Sequence, residues 1–206
     1  RVIVSSDSSE YLDIASNQGA EGHFRKSWAA NDDATNFDVL RDVLDLAPFV
    51  KWPEWLAVFQ PTNPLRRDAL GDEMALVACK SNAGMVLTVA NIGRMPWWAW
   101  HHDSEGRLCP LIKAKSVRTN AAGGPRESVP DCFVANGNGW LCSTMFVVNG
   151  EQHKHGVVPI VEPYDLYHNI DTLDDFNRIE RLFIAQKGLT NGSRTPIHAD
   201  EYAYPD

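Results

Sequence analysis

Residues 131–148 read DCFVANGNGWLCSTMFVV. Two runs rich in β-branched and aromatic residues, Asp131–Ala135 and Trp140–Val148, flank Asn136-Gly137-Asn138-Gly139. Asn and Gly tolerate the positive φ of tight turns, so the stretch predicts a β-hairpin. A three-residue loop over Asn136–Asn138 would pair residue 135 with 139 and set Cys132 opposite Cys142. Opposed Cβ atoms lie about 4.5–5.5 Å apart, close enough for a disulfide after a small adjustment.

Working outward, Met74–Lys80 and Met85–Asn91 are apolar on both faces and are joined by Ser81-Asn82-Ala83-Gly84. They read as a second hairpin, from the middle of a sheet. Pro96–His102, Leu108–Val117 and Gly156–Glu162 read as further strands, with a Gly/Pro-rich loop over residues 119–130. Toward the start, Arg1–Val4 reads as a short strand followed by polar chain. Asn36 opens a helix with Phe37, Leu40, Leu44 and Ala47 on one face, ended by Pro48. A second short helix starts at Pro53 and carries Trp55, Leu56 and Phe59. Toward the end, Thr172 and Asp175 suggest a capping box. Leu173, Phe176, Ile179, Leu182 and Phe183 form the apolar face of the helix that follows, and Gly188 is its stop.

Strands bunched together between helices predict an α+β fold. The expected form is a mostly antiparallel sheet of about 6–8 strands. Two N-terminal helices and one C-terminal helix pack on it, in a single globular domain over residues 1–206. Parallel α/β is disfavoured, because no G-x-G-x-x-G, P-loop or G-x-S-x-G is present.

Composition narrows the function classes. Hydrophobic residues at 44% and charged residues at 22% describe a globular chain, not a disordered one. No apolar run approaches the roughly 20 residues that span a bilayer. With 27 acidic against 19 basic residues and no basic block, the sequence points away from nucleic acid. The chain begins at Arg1, carries four cysteines and holds the sequon Asn191-Gly192-Ser193, which together suggest a secreted or otherwise exported protein.

Four constellations could carry chemistry. His101-His102-Asp103 and His153-x-His155 are the first. An H-x-H step on a strand puts both imidazoles on one face, and with His101 or a carboxylate it can hold a divalent transition metal. Asp103, Asp131, Glu151 and Glu162 could supply that carboxylate; the simpler alternative is a solvated turn after Gly150. The second is Cys142 with His153, His155 and Asn169, the residue types of a thiol hydrolase. Its position inside an apparent strand favours a disulfide or core thiol. The third is a pair of carboxylates among Glu54, Glu73, Glu105, Glu127, Glu151 and Glu162, of which nothing selects two. The fourth is Trp97, Trp98 and Trp100, too many indoles for one strand to bury, and so a binding surface or part of an aromatic core with Trp52 and Trp55.

The leading expectation is an exported hydrolase, with His101, His155 and Asp103 catalytic and His101, His153 and His155 as metal ligands. The alternative is a non-catalytic secreted effector, toxin or binding module presenting the Trp-rich strand, or a viral or structural shell protein. Nothing in the sequence chooses among a small molecule, a glycan and a protein as its ligand.

Overall fold

The structure is a computed structural model that describes residues 1–45, 52–81, 83–112, 129–149, 156–163 and 169–186. Along the chain run β1 (Ile3–Ser6), α1 (Ser9–Asn17), β2 (Glu21–Phe24), α2 (Asn36–Leu44), β3 (Trp55–Val58), α3 (Leu70–Lys80) and β4 (Met85–Gly93). There follow β5 (Trp100–His102), β6 (Leu108–Pro110), β7 (Cys132–Ser143), α4 (Thr144–Asn149), β8 (Val157–Glu162) and α5 (Leu173–Gln186). The protein is α+β. Its contacts divide it into two compact units, Arg1–Leu56 with Cys142–Gly156 and Ala57–Leu141 with Val157–Asp206.

The first unit opens on a β-α-β motif. β1 and β2 pair in parallel, Ser5 beside His23 and Ser6 beside Phe24. The Ser8 hydroxyl caps α1 by accepting from the Tyr11 N–H, and Gly19, at φ 86°, turns the chain back. None of α1 is fully buried, so its periodicity is weak and the sequence reads as polar chain. In α2, Thr35 and Asp38 form a capping box that places the cap one residue before the expected Asn36. Leu40, Val43 and Leu44 are buried, and the Phe37 ring packs on Phe146 of α4 at 5.7 Å between centroids.

The second unit carries a four-stranded sheet in the order β3-β7-β4-β8. β4 and β8 are parallel, from Met85 beside Val157 to Ala90 beside Glu162. β5 and β6 form a separate antiparallel pair. Among the described residues the strands form sheets of four, two and two, with parallel pairs in two of them, and a single sheet of six to eight mostly antiparallel strands is not seen. The cause is two helices that the sequence hides. Residues 74–80 belong to α3, whose buried Leu70, Met74 and Ala78 recur every fourth residue. Asp72 and Glu73 in its first turn and Lys80 in its last suit the helix dipole. With α1 and α3 in place, helices and strands alternate, and alternation favours parallel pairing. Residues 55–58, expected to be helical, form β3.

The Asn136–Gly139 hairpin is also corrected. Residues 132–143 make one continuous strand, β7, through all four turn-forming residues. Cys132 and Cys142 thus lie ten residues apart on one strand, which advances about 3.3 Å per residue, and cannot be bonded across a turn. Cys79, Cys109, Cys132 and Cys142 are free thiols. α5 has the expected capping box, with the Asp175 N–H donating to Thr172 Oγ1 at 3.2 Å and the Thr172 N–H to Asp175 Oδ2 at 3.1 Å. Its face is shallower than predicted: Ile179 is buried, but Phe176 and Phe183 stay 37% and 40% exposed. Among the described residues, no helix is long and apolar enough to cross a membrane.

Candidate functional site

Of the histidine constellation, the described residues hold His101, His102 and Asp103. His101 and His102 are exposed neighbours on β5, pointing to opposite faces, and His101 Nδ1 lies 3.0 Å from the His102 carbonyl oxygen. Asp103 closes the β5–β6 turn: Oδ1 accepts from the Glu105 and Arg107 N–H groups, and Oδ2 from Arg107 Nε. His153, His155 and Glu151 lie outside the described residues, within which no three His, Cys, Asp or Glu converge as metal ligands. Cys142 is fully buried, and burial pushes its thiol up to about 12, which removes the thiolate a nucleophile needs. The Trp-rich stretch is not one strand. Trp97 and Trp98 sit half-buried in a 3-10 turn, Met95–Trp98, with Trp97 Nε1 donating to the Pro130 carbonyl, and Trp100 on β5 is exposed.

A different polar site is built around Gly137. Its φ of +75° is left-handed, the conformation that glycine bulges use to bend a strand. A Cβ placed there would lie 2.9 Å from Asn63 Nδ2, 3.6 Å from Gln60 Oε1 and 3.7 Å from Asn169 Oδ1. Three side-chain amides therefore converge on one half-buried glycine. Asn63 and Gln60 come from a loop wound on the Gln60 carbonyl, which accepts from the Asn63 N–H and from both terminal nitrogens of Arg66. The segment bearing Asn169 is tied to that loop by the Ile170 N–H donating to the Thr62 carbonyl at 3.0 Å.

The floor of the site is ionic. Glu162, at the end of β8, is 3% exposed. Its Oε2 accepts from Asn136 Nδ2 at 2.8 Å and from Asn138 Nδ2 at 2.6 Å, and its Oε1 from Arg67 Nε at 2.9 Å. Burial pushes the carboxyl up, but the bonds from Asn138, Arg67 and Asn136 outweigh it and hold the group below its ordinary range. Alternation along β7 puts Asn136 and Asn138 on the same face, so Glu162 reaches both. These residues explain the misread hairpin: the asparagines serve a buried carboxylate, not a turn.

The donor and acceptor balance is uneven. Asn63 spends its NH2 on the Asn136 carbonyl at 2.9 Å, and Asn169 spends its NH2 on Asp171 Oδ1 at 2.7 Å. Those bonds fix both amide orientations. The Oδ1 atoms of Asn63 and Asn169 are then buried and, among the described residues, no donor reaches them. Arg66 adds a second imbalance. Its guanidinium stacks on the Phe59 ring at 5.3 Å and is half-buried, and burial alone lowers its pKa. Among the described residues no carboxylate forms an ion pair with it, whereas its neighbour Arg67 takes both Glu73 and Glu162. By sequence, Glu162 stands out only as one of several carboxylates and Asn169 only as a partner for Cys142. Arg66-Arg67 and the alternation of Asn136 with Asn138 were the available signals.

The first unit holds a smaller buried polar group. Ser5 Oγ lies 2.9 Å from His23 Nδ1, and His23 Nε2 lies 3.4 Å from Asp42 Oδ2. Burial lowers the His23 pKa against the pull of Asp42, so the imidazole is neutral at pH 7 and Lys26 is the cation that pairs with Asp42. The order Ser-His-Asp resembles a hydrolytic relay. However, the imidazole is buried, and Ser5 Oγ also accepts from Arg25 Nε at 3.1 Å. We read the group as the internal brace of the β-α-β motif.

No protein-family model matches the chain, and no curated protein matches it.

Proposed function

We propose that this chain binds a small anionic molecule rich in hydroxyl or amide N–H donors, such as a sugar acid or sugar phosphate, at the site around Gly137. The carrying observation is the pair of buried oxygens on Asn63 and Asn169 that no donor reaches among the described residues. A buried acceptor without a partner costs about 1–3 kcal/mol, and two on one site call for a ligand that supplies the donors. Water can supply donors as well; the Arg66 guanidinium, without a carboxylate among the described residues, is what selects an anion.

The exported hydrolase expected from His101, His155 and Asp103 is not the reading proposed, because Asp103 spends both oxygens on its own turn. Calorimetric titration with glucuronate and glucose 6-phosphate, against glucose and inorganic phosphate, tests the site. The compounds combining hydroxyls with an anion should bind more tightly than either partial probe. Arg66→Gln should weaken them about tenfold or more, as expected for a lost hydrogen bond to a charged group, and leave glucose unaffected. Equal binding of all four probes, or an Arg66→Gln variant that matches wild type, refutes the proposal.

A further inference from the structure

Glu162 makes an unusual use of a buried charge. An ion pair with Arg67 alone would need no burial, since Glu73 already meets that guanidinium at 2.7 Å near the surface. Instead the carboxylate takes the side-chain N–H groups of the two asparagines that flank Gly137. A carboxylate only accepts, so both amides must turn their NH2 toward it, and neither orientation is left free. The oxygen of Asn136 then accepts from the Asn138 N–H at 3.2 Å, across the left-handed Gly137. The backbone carbonyl of the same Asn136 receives Asn63 Nδ2. An unbroken series of bonds thus runs from Glu162 to the amide whose oxygen lacks a donor.

We propose that Glu162 is the positioning residue of this site: through Asn136 and Asn138 it sets the strand at Gly137 and the direction in which Asn63 presents its oxygen. The inference rests on the ligand site proposed above, but its structural half is readable without any ligand. Glu162 touches no ligand itself. Arg67, half-exposed, pairs with the same carboxylate but bonds neither asparagine, which makes it the matched control.

The experiment uses the full chain, labelled with 15N. In the wild type, the side-chain amides of Asn136 and Asn138 should exchange slowly with solvent, and rapid exchange overturns the inference even where a variant fails to fold. In Glu162→Gln, the Asn63 side-chain amide signals should move and glucuronate affinity should fall about tenfold or more, because a neutral Gln has one acceptor oxygen and cannot serve both the asparagines and Arg67. Arg67→Gln should lower the melting temperature yet leave the Asn63 signals in place and the affinity within about twofold. Unmoved Asn63 signals in Glu162→Gln, or the same loss of affinity in Arg67→Gln, overturns the inference. If the wild type binds none of the probes while the amide signals respond as described, the ligand reading fails and the positioning role of Glu162 stands.

Discussion

Gly137→Ala should disturb this fold sharply. Two costs add. An alanine held at φ +75° pays the left-handed penalty of about 1–2 kcal/mol. Its Cβ would also sit 2.9 Å from Asn63 Nδ2, closer than nonbonded atoms allow, so the amide must withdraw. Withdrawal breaks the buried bond to the Asn136 carbonyl and leaves that oxygen without its donor, at about 1–3 kcal/mol. The sum is about 2–5 kcal/mol, which for a chain of this length lowers the melting temperature by roughly 4–20 °C. Urea unfolding followed by Trp fluorescence measures it, with Gly139→Ala as the comparison. That second variant has no positive φ but drives its Cβ to 2.8 Å from the Phe59 ring, so it should destabilise by displacing Phe59 and leave the Asn63 amide signals alone. A Gly137→Ala protein within about 0.5 kcal/mol of wild type would refute both the left-handed strand break and the convergence of amides on it.

Two further outcomes follow from the first unit and from α5. His23 is held below its ordinary value of 6.5 by burial, so the folded state binds fewer protons than the unfolded one. Stability is therefore full above that value and falls as pH drops through it toward the folded pKa; melting temperatures at pH 7.5 and 5.5 should show the loss, and His23→Gln should abolish it. On α5, Ile179→Ala should cost about 2–5 kcal/mol because the side chain is fully buried, whereas Phe176→Ala should cost less than the usual 3–5 kcal/mol because 37% of Phe176 is already in water. Chemical denaturation of both variants checks the order, and a larger loss for Phe176→Ala would mean that the buried face of α5 is misassigned.

What the sequence makes legible is local. The capping box at Thr172 and Asp175, the strand ending at Glu162 and the helix following Thr35 each depend on residues a few positions apart, and all three form. What fails is wherever distant residues decide. Residues 74–80 are apolar enough for a strand, and only the burial of Leu70, Met74 and Ala78 on one side shows a helix. Asn136-Gly137-Asn138-Gly139 carries every local preference of a turn. It stays extended because Glu162, some 24 residues beyond Asn138, absorbs both amides, and Thr88 Oγ1 donates to the Gly139 carbonyl at 2.7 Å. Asparagine and glycine tolerate a turn without requiring one. The histidine reading turns on His153 and His155, which lie outside the described residues; of its other members, His101 and His102 alternate to opposite faces of β5 and Asp103 is taken up by its own turn.

The contrast between Arg66 and Arg67 bears most directly on function. The chain has 27 acidic and 19 basic residues, so carboxylates are in excess. Arg67 takes two of them, one at the surface and one in the interior. Arg66, next in sequence, takes none among the described residues and is instead fixed by the Gln60 carbonyl and the Phe59 ring. A guanidinium costs free energy to desolvate without a counter-ion, and burial does lower the pKa of this one. Folding alone would favour giving it a partner from so acidic a chain. Holding it rigid and unneutralised, on the loop that also carries the donorless oxygen of Asn63, serves a charge that arrives from outside. Arg66→Gln should therefore lose the anionic ligand while losing no more stability than its bonds to the Gln60 carbonyl are worth, about 1.5–3 kcal/mol by chemical denaturation; a larger loss would make Arg66 a structural residue and remove the anion from the proposed ligand.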